Sequence, residues 1–138
     1  MKNNFLFHFL VVIILIAGAT GCEKFTEDNP YTDDRDAFLG EWICTDSPLK
    51  NGQGVYSVII TADPDNSAQV KIQNFFQLGN DARPYAIVTR ATITVPVQSA
   101  LPDGSWTVSG YGVLTEGGLE WTSYNGNQYS LKATFRRP

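Results

Sequence analysis

Leu119-Glu120-Trp121-Thr122-Ser123-Tyr124-Asn125-Gly126-Asn127-Gln128-Tyr129-Ser130-Leu131-Lys132-Ala133-Thr134-Phe135-Arg136 is the stretch whose reading decides the fold. Leu119 and Trp121 share one parity, against Glu120 and Thr122. Beyond Asn125-Gly126, the residues Tyr129, Leu131, Ala133 and Phe135 repeat the apolar parity against Ser130, Lys132 and Thr134. A period of two places successive side chains on opposite faces of a strand. Asn-Gly between two such runs is a strong hairpin signal. The stretch is therefore predicted to form antiparallel strands over 119–124 and 128–136, with one buried and one wet face.

Working outward, the same period predicts strands over 41–45, 55–62, 69–76, 85–89, 92–97 and 105–114. Trp42 and Cys44 share a side, as do Tyr56, Val58 and Ile60, and Val70 and Ile72. Asp63-Pro64-Asp65-Asn66, Leu78-Gly79-Asn80-Asp81, Pro102-Asp103-Gly104 and Gly117-Gly118 are turn signals. Only Thr89-Arg90-Ala91 separates 85–89 from 92–97, so those runs are either a hairpin or one bent strand. Pro96, which lacks an N–H, marks an edge or a strand end. No helical period of ten residues occurs after the leader. Eight short strands can bury these faces as a closed barrel or a two-sheet sandwich. Sequential hairpins with no long crossover favour an all-β, up-and-down antiparallel barrel.

Charge divides the chain into three unlike parts. The formal net charge is −4 over 138 residues. Residues 23–36 hold six acids and two bases, whereas the chain from Ala37 has eight acids and seven bases. That near-neutral domain has no basic face for nucleic acid, and it is too short for two sizeable domains. The one histidine, His8, lies in the leader. A His-dependent nucleophile or zinc site is therefore denied to the domain.

Residues 1–21 read as a signal peptide: a short polar start with Lys2, an apolar run from Phe5 to Ile16 broken by His8, then small residues. The run is about 15 residues at most, below the roughly 20 a membrane-spanning helix needs. Ala19-Thr20-Gly21-Cys22 resembles the lipobox of bacterial lipoproteins. The resemblance implies cleavage before Cys22 and lipidation of its thiol, giving a membrane partner through a palmitate-type anchor and an outer-membrane address, on the periplasmic or the cell-surface face. The acidic segment 22–36 reads as a solvated tether carrying that anchor. Its Asp33, Asp34 and Asp36 lack the spacing of a calcium loop, and no metal or cofactor is expected.

Asp36-Ala37-Phe38-Leu39-Gly40-Glu41-Trp42 resembles the opening of calycins, the lipocalins and fatty-acid-binding proteins, whose first strand carries Phe-x-Gly-x-Trp. The resemblance implies structural roles for Gly40 and Trp42, with Arg136 or Arg137 packing across the indole. Segment 45–54 is too short for the helical lid of fatty-acid-binding proteins, and the domain is shorter than a lipocalin, so ligand positions do not transfer. A likeness to small lipocalin-like lipoproteins of Bacteroidetes covers most of 38–135, on Asn74-Phe75-Phe76-Gln77-Leu78-Gly79 and Ile93-Thr94-Val95-Pro96-Val97-Gln98.

An eight-stranded barrel is just wide enough for its own side chains or one small ligand. If the interior is hollow, a small apolar ligand is expected against Tyr56, Trp106, Trp121 and Tyr129. The alternatives are a glycan stacked on Tyr111 and Tyr124, expected to face outward, or a protein partner met by loops 45–54 or 98–104. The turn positions of Asp46, Asp63, Asp65, Asp81, Asp103 and Glu116 suit backbone capping rather than paired-carboxylate catalysis. Cys44 reads as a small buried apolar residue. Non-catalytic binding at the envelope is the expectation, with the oligomeric state open.

Overall fold

The computed structural model describes residues 33–47 and 54–138. The expected leader, the lipidation site Cys22, the tether through residue 32, and positions 48–53 of loop 45–54 lie outside the described residues. The domain is a closed, up-and-down antiparallel barrel of β1 (Gly40–Asp46), β2 (Gly54–Ala62), β3 (Gln69–Gln73), β4 (Tyr85–Thr89), β5 (Thr92–Ser99), β6 (Thr107–Thr115), β7 (Gly118–Gly126) and β8 (Tyr129–Arg136). Each strand pairs with the next, and β1 returns to β8 with Cys44 opposite Phe135. Thr89 and Thr92 are paired across Arg90-Ala91, so 85–99 is a hairpin. Arg90 makes the tight turn with φ 53°.

Alternation selects the core. Trp42 and Cys44, Tyr56, Val58 and Ile60, Val70 and Ile72, Leu119 and Trp121, and Ala133 and Phe135 are all buried. Tyr129 keeps the parity of Ala133 and Phe135 but is not buried: at the start of β8 it is 38% exposed.

The narrow end lies where β1 begins. Phe38 is buried beneath the segment leading into β1, and its carbonyl accepts a hydrogen bond from the Trp42 indole N–H at 2.8 Å. The Arg137 guanidinium lies 3.7 Å from the centre of the Trp42 ring. It also donates to the carbonyls of Leu39 at 2.8 Å and Ala37 at 3.0 Å. The residue over the indole is therefore Arg137, not Arg136. Phe135 points inward and Arg136 outward, so parity returns the chain to the inner side at Arg137. Gly40 makes room for it: its φ is 107°, and a Cβ there would lie 3.0 Å from Arg137 Nη1.

Residues 33–36, predicted to be part of a solvated tether, dock on this end. Arg35 pairs with Asp33 at 2.6 Å. It also donates to the carbonyls of Asp63, Asn66 and Gln69 in the β2–β3 connection at 3.2, 3.1 and 3.3 Å. Asp34 accepts the Arg90 N–H at 2.9 Å. These two acids cap backbone and pair with an arginine.

Three local readings differ from expectation. The third strand ends at Gln73, not at 76, because Asn74 turns left-handed at φ 63° and starts a 3-10 turn at Phe75–Gln77. β5 continues through Pro96 to Ser99. Pro96 is tolerated mid-strand because Pro96 and Val97 form a bulge opposite β6, where no ladder N–H is required. The Gln98 amide then pairs with the Tyr85 backbone, donating to its carbonyl at 2.7 Å and accepting its N–H at 3.0 Å. Last, the β7–β8 turn lies at Asn127-Gln128, with Gly126 still paired to Tyr129.

If the narrow end depends on the Arg137–Trp42 stack, Arg137→Ala lowers the free energy of unfolding in urea by about 1–3 kcal/mol, through the lost ring contact and carbonyl bonds. Arg136→Ala, an exposed change, lowers it by less than about 1 kcal/mol. Equal effects would overturn the assignment.

Candidate functional site

β7 carries the side chains that organise the interior. Trp121 pairs with Ala133 and Tyr124 with Leu131, so β7 has one more residue than β8 over this span. That bulge at Thr122-Ser123 reverses the parity and turns both Trp121 and Tyr124 inward. Tyr124, expected to face outward beside Tyr111, is instead fully buried, while Tyr111 is 41% exposed on the outer wall. The two tyrosines share no surface, and a glycan face built on both is ruled out. Trp121 fits because Gly110 lies beneath it: a Cβ there would be 2.9 Å from the indole.

The result is an aromatic column along the barrel. Phe135 lies 5.2 Å from Trp121, Trp121 5.4 Å from Tyr124, Tyr124 5.2 Å from Phe76 in a stacked geometry, and Phe76 6.3 Å from Trp106, as ring-centre distances. Phe75 packs beside the column, 4.5 Å from Tyr124 and 5.5 Å from Trp121. Such offset and edge contacts each add about 0.5–1.5 kcal/mol beyond burial. Val58, Val70, Ile72, Ile93, Phe75 and Tyr124 have no water-accessible surface to speak of, outside or within. The interior between them is filled by side chains.

Phe75 and Phe76 come from the connection after β3, which folds over the wide end as a plug. Asn74 anchors it, donating to the Ser57 carbonyl at 2.8 Å and accepting the Gly79 N–H at 2.8 Å. Phe76 and Gln77 are left-handed, at φ 60° and 58°. For residues with a Cβ this costs about 1–2 kcal/mol each. What holds them is on β7. The Phe76 N–H donates to the Tyr124 hydroxyl at 2.7 Å, and that hydroxyl is hydrogen-bonded to Tyr56 at 2.9 Å. The Phe76 ring lies against Gly126, where a Cβ would be only 2.6 Å from it. This explains the shifted turn: Gly126 serves a close approach within the strand, and Asn127 takes the positive φ of the turn at 49°.

The predicted site residues therefore separate. Tyr56 and Trp121 belong to the filled core, while Trp106 and Tyr129 stand at the mouth. Trp106 neighbours Phe76, and Tyr129 lies opposite Gly126, on which Phe76 rests. Phe76 was missed because a β reading of 69–76 hides a plug; the doubled Phe before a Gly-Asn turn was the available signal. The interior polar groups are chemically quiet. Burial pushes the Cys44 thiol up to about 12, opposed by a hydrogen bond from Tyr56. Burial likewise raises the Tyr56 and Tyr124 hydroxyls well above the phenol range. The Trp121 indole N–H is buried with no hydrogen-bond partner among the described residues. Among those residues no cluster of His, Cys, Asp and Glu is arranged to hold a metal. Asp46 accepts the Gly54 N–H at 3.1 Å, Asp63 that of Asp65 at 3.0 Å, and Asp103 that of Ser105 at 2.9 Å.

An acid whose pKa is raised by folding stabilises the fold fully below its unfolded pKa, and that stability is lost as pH climbs toward the folded value. The barrel is therefore expected to weaken from about pH 9 upward. Tyr56 and Tyr124 should yield tyrosinate absorbance only as the near-ultraviolet dichroism of the column collapses. Free titration of all tyrosines in the folded protein would contradict the buried pair. Tyr124→Phe, which strands the Phe76 N–H, should cost about 1–3 kcal/mol in urea unfolding.

Comparison of the chain with protein-family models, with curated proteins and with solved structures finds no match.

Proposed function

We propose that this chain is a non-catalytic binding module of the cell envelope, anchored by lipid on Cys22, with the calycin-like barrel presenting a glycan-binding surface at its mouth. The observation that carries the binding reading is the aromatic group Phe76, Trp106 and Tyr129 at the wide end of a filled barrel. Aromatic faces at a rim suit the apolar face of a sugar ring, and a filled core leaves the mouth, not the interior, as the place to bind. The signal-like leader and the lipobox-like Ala19-Thr20-Gly21-Cys22 support the address. The non-catalytic reading is supported by the turn-capping use of Asp46, Asp63 and Asp103.

A second reading is favoured by the strained plug. A compact, largely apolar ligand carrying one acceptor oxygen could replace Phe75 against Trp121, accepting a hydrogen bond from the unpartnered indole N–H. Left-handed Phe76 and Gln77 would relax as the segment withdraws.

Native affinity gels of the full-length protein in detergent, cast with envelope polysaccharide from its own cells, test the first reading. Retardation is expected, and Trp106→Ala should weaken it about tenfold, the factor for roughly 1.4 kcal/mol of lost ring contact. Tyr111→Ala, on the outer wall, should leave it unchanged. Absence of retardation of the parent, or equal loss in both variants, sinks the mouth site. Native mass spectrometry of the same preparation checks the second reading, which requires a retained apolar mass that Phe75→Trp removes.

A further inference from the structure

The narrow end holds a feature that neither reading uses. An open groove of about 430 Å³ lies beside the clamp, lined by Ala37, Trp42, Leu114, Arg136 and Arg137, with Glu116 at the β6–β7 turn. Its volume lies within the range of small-molecule sites, roughly 300–1,000 Å³. Arg137 is committed to the Trp42 ring and to the carbonyls of Ala37 and Leu39. Arg136 differs: it donates one N–H to the Gly117 carbonyl, and no carboxylate of the described residues lies within salt-bridge distance of it. A guanidinium has five donors in a planar fork, so Arg136 keeps donors beyond the one that fixes it to the turn.

We propose that this groove binds a small organic monocarboxylate, its carboxylate gripped by Arg136 and its apolar body laid along Leu114, Ala37 and the edge of Trp42. The planar fork matches a carboxylate in bidentate fashion. Glu116 opposes a second negative charge, which selects a monoanion over a dianionic phosphate ester. Thr115 is already used within the turn, donating to the Gly118 carbonyl at 3.0 Å and accepting the Gly117 N–H at 3.2 Å. It therefore shapes the turn that presents Arg136. The site lies at the opposite end of the barrel from the aromatic mouth and is independent of the function proposed there.

The test is a two-dimensional amide NMR titration of the full-length protein in detergent with 4-phenylbutyrate, and with neutral 4-phenylbutanol as the uncharged counterpart. Saturable shifts are expected at Leu114, Gly117 and Gly118, with 4-phenylbutanol about tenfold weaker, as one charge-assisted contact implies. Arg136→Gln should weaken 4-phenylbutyrate by a similar factor. Glu116→Gln should tighten it a few-fold, which supplies an opposite-signed readout should Arg136→Gln disturb the turn. Equal affinity for acid and alcohol, no saturable shift at these amides, or no change in Glu116→Gln overturns the proposal. Shifts confined to Phe76, Trp106 and Tyr129 would also overturn it, while leaving the mouth site standing.

Discussion

Closing the sheet on itself is the constraint from which the rest follows. Once β1 pairs with β8, a single interior must be filled, and eight strands leave a lumen about as wide as two facing side chains. Trp121, Tyr124 and Phe135 fill it from the strands, and Phe75 enters from the connection after β3. Each large side chain needs a local exception to make room or to aim it. Gly110 yields to Trp121, the β7 bulge turns Tyr124 inward, and the left-handed Phe76 brings the plug over the mouth.

The two ends meet this constraint with different chemistry. At the narrow end an arginine covers an indole and ties the end of β8 to the backbone carbonyls of Ala37 and Leu39, so the closing contact is partly electrostatic and open to water on one side. At the wide end the closure is aromatic and rests on a chain of hydrogen bonds from Phe76 through Tyr124 to Tyr56. The core holds a thiol, two phenols and two indoles, but burial holds the ionisable ones in their neutral forms at ordinary pH.

Much of the fold was legible because alternation is local. Trp42 and Cys44, the Tyr56 to Ile60 face and the Leu119 and Trp121 pair could be placed from their own neighbours. Tyr124 could not. Its direction depends on one extra residue at Thr122-Ser123, whose insertion is decided by what the barrel interior must hold. Asn125-Gly126 misled for a related reason: its glycine reads as a turn residue in isolation, but a ring from residue 76 rests on it. The choice between Arg136 and Arg137 likewise turned on where β8 leaves the barrel. Of the four expected pocket residues, parity correctly sent Tyr56 and Trp121 inward, although the pocket between them is occupied.

By itself, the sequence determined the strand count, the antiparallel hairpin order, the apolar parity of most strands and the near-neutral charge of the domain, since each is carried by residues within a few positions of one another. Only the tertiary structure decided that the interior is filled, that Phe75 is its plug, that Arg137 closes the narrow end and that Arg136 is left beside a groove. Those outcomes depend on volume and on contacts between distant positions, such as Tyr56 with Tyr124 across 68 residues and Phe76 with Tyr124 across 48. Periodicity says which way a side chain points; it carries no information about how much space remains when all of them point inward together.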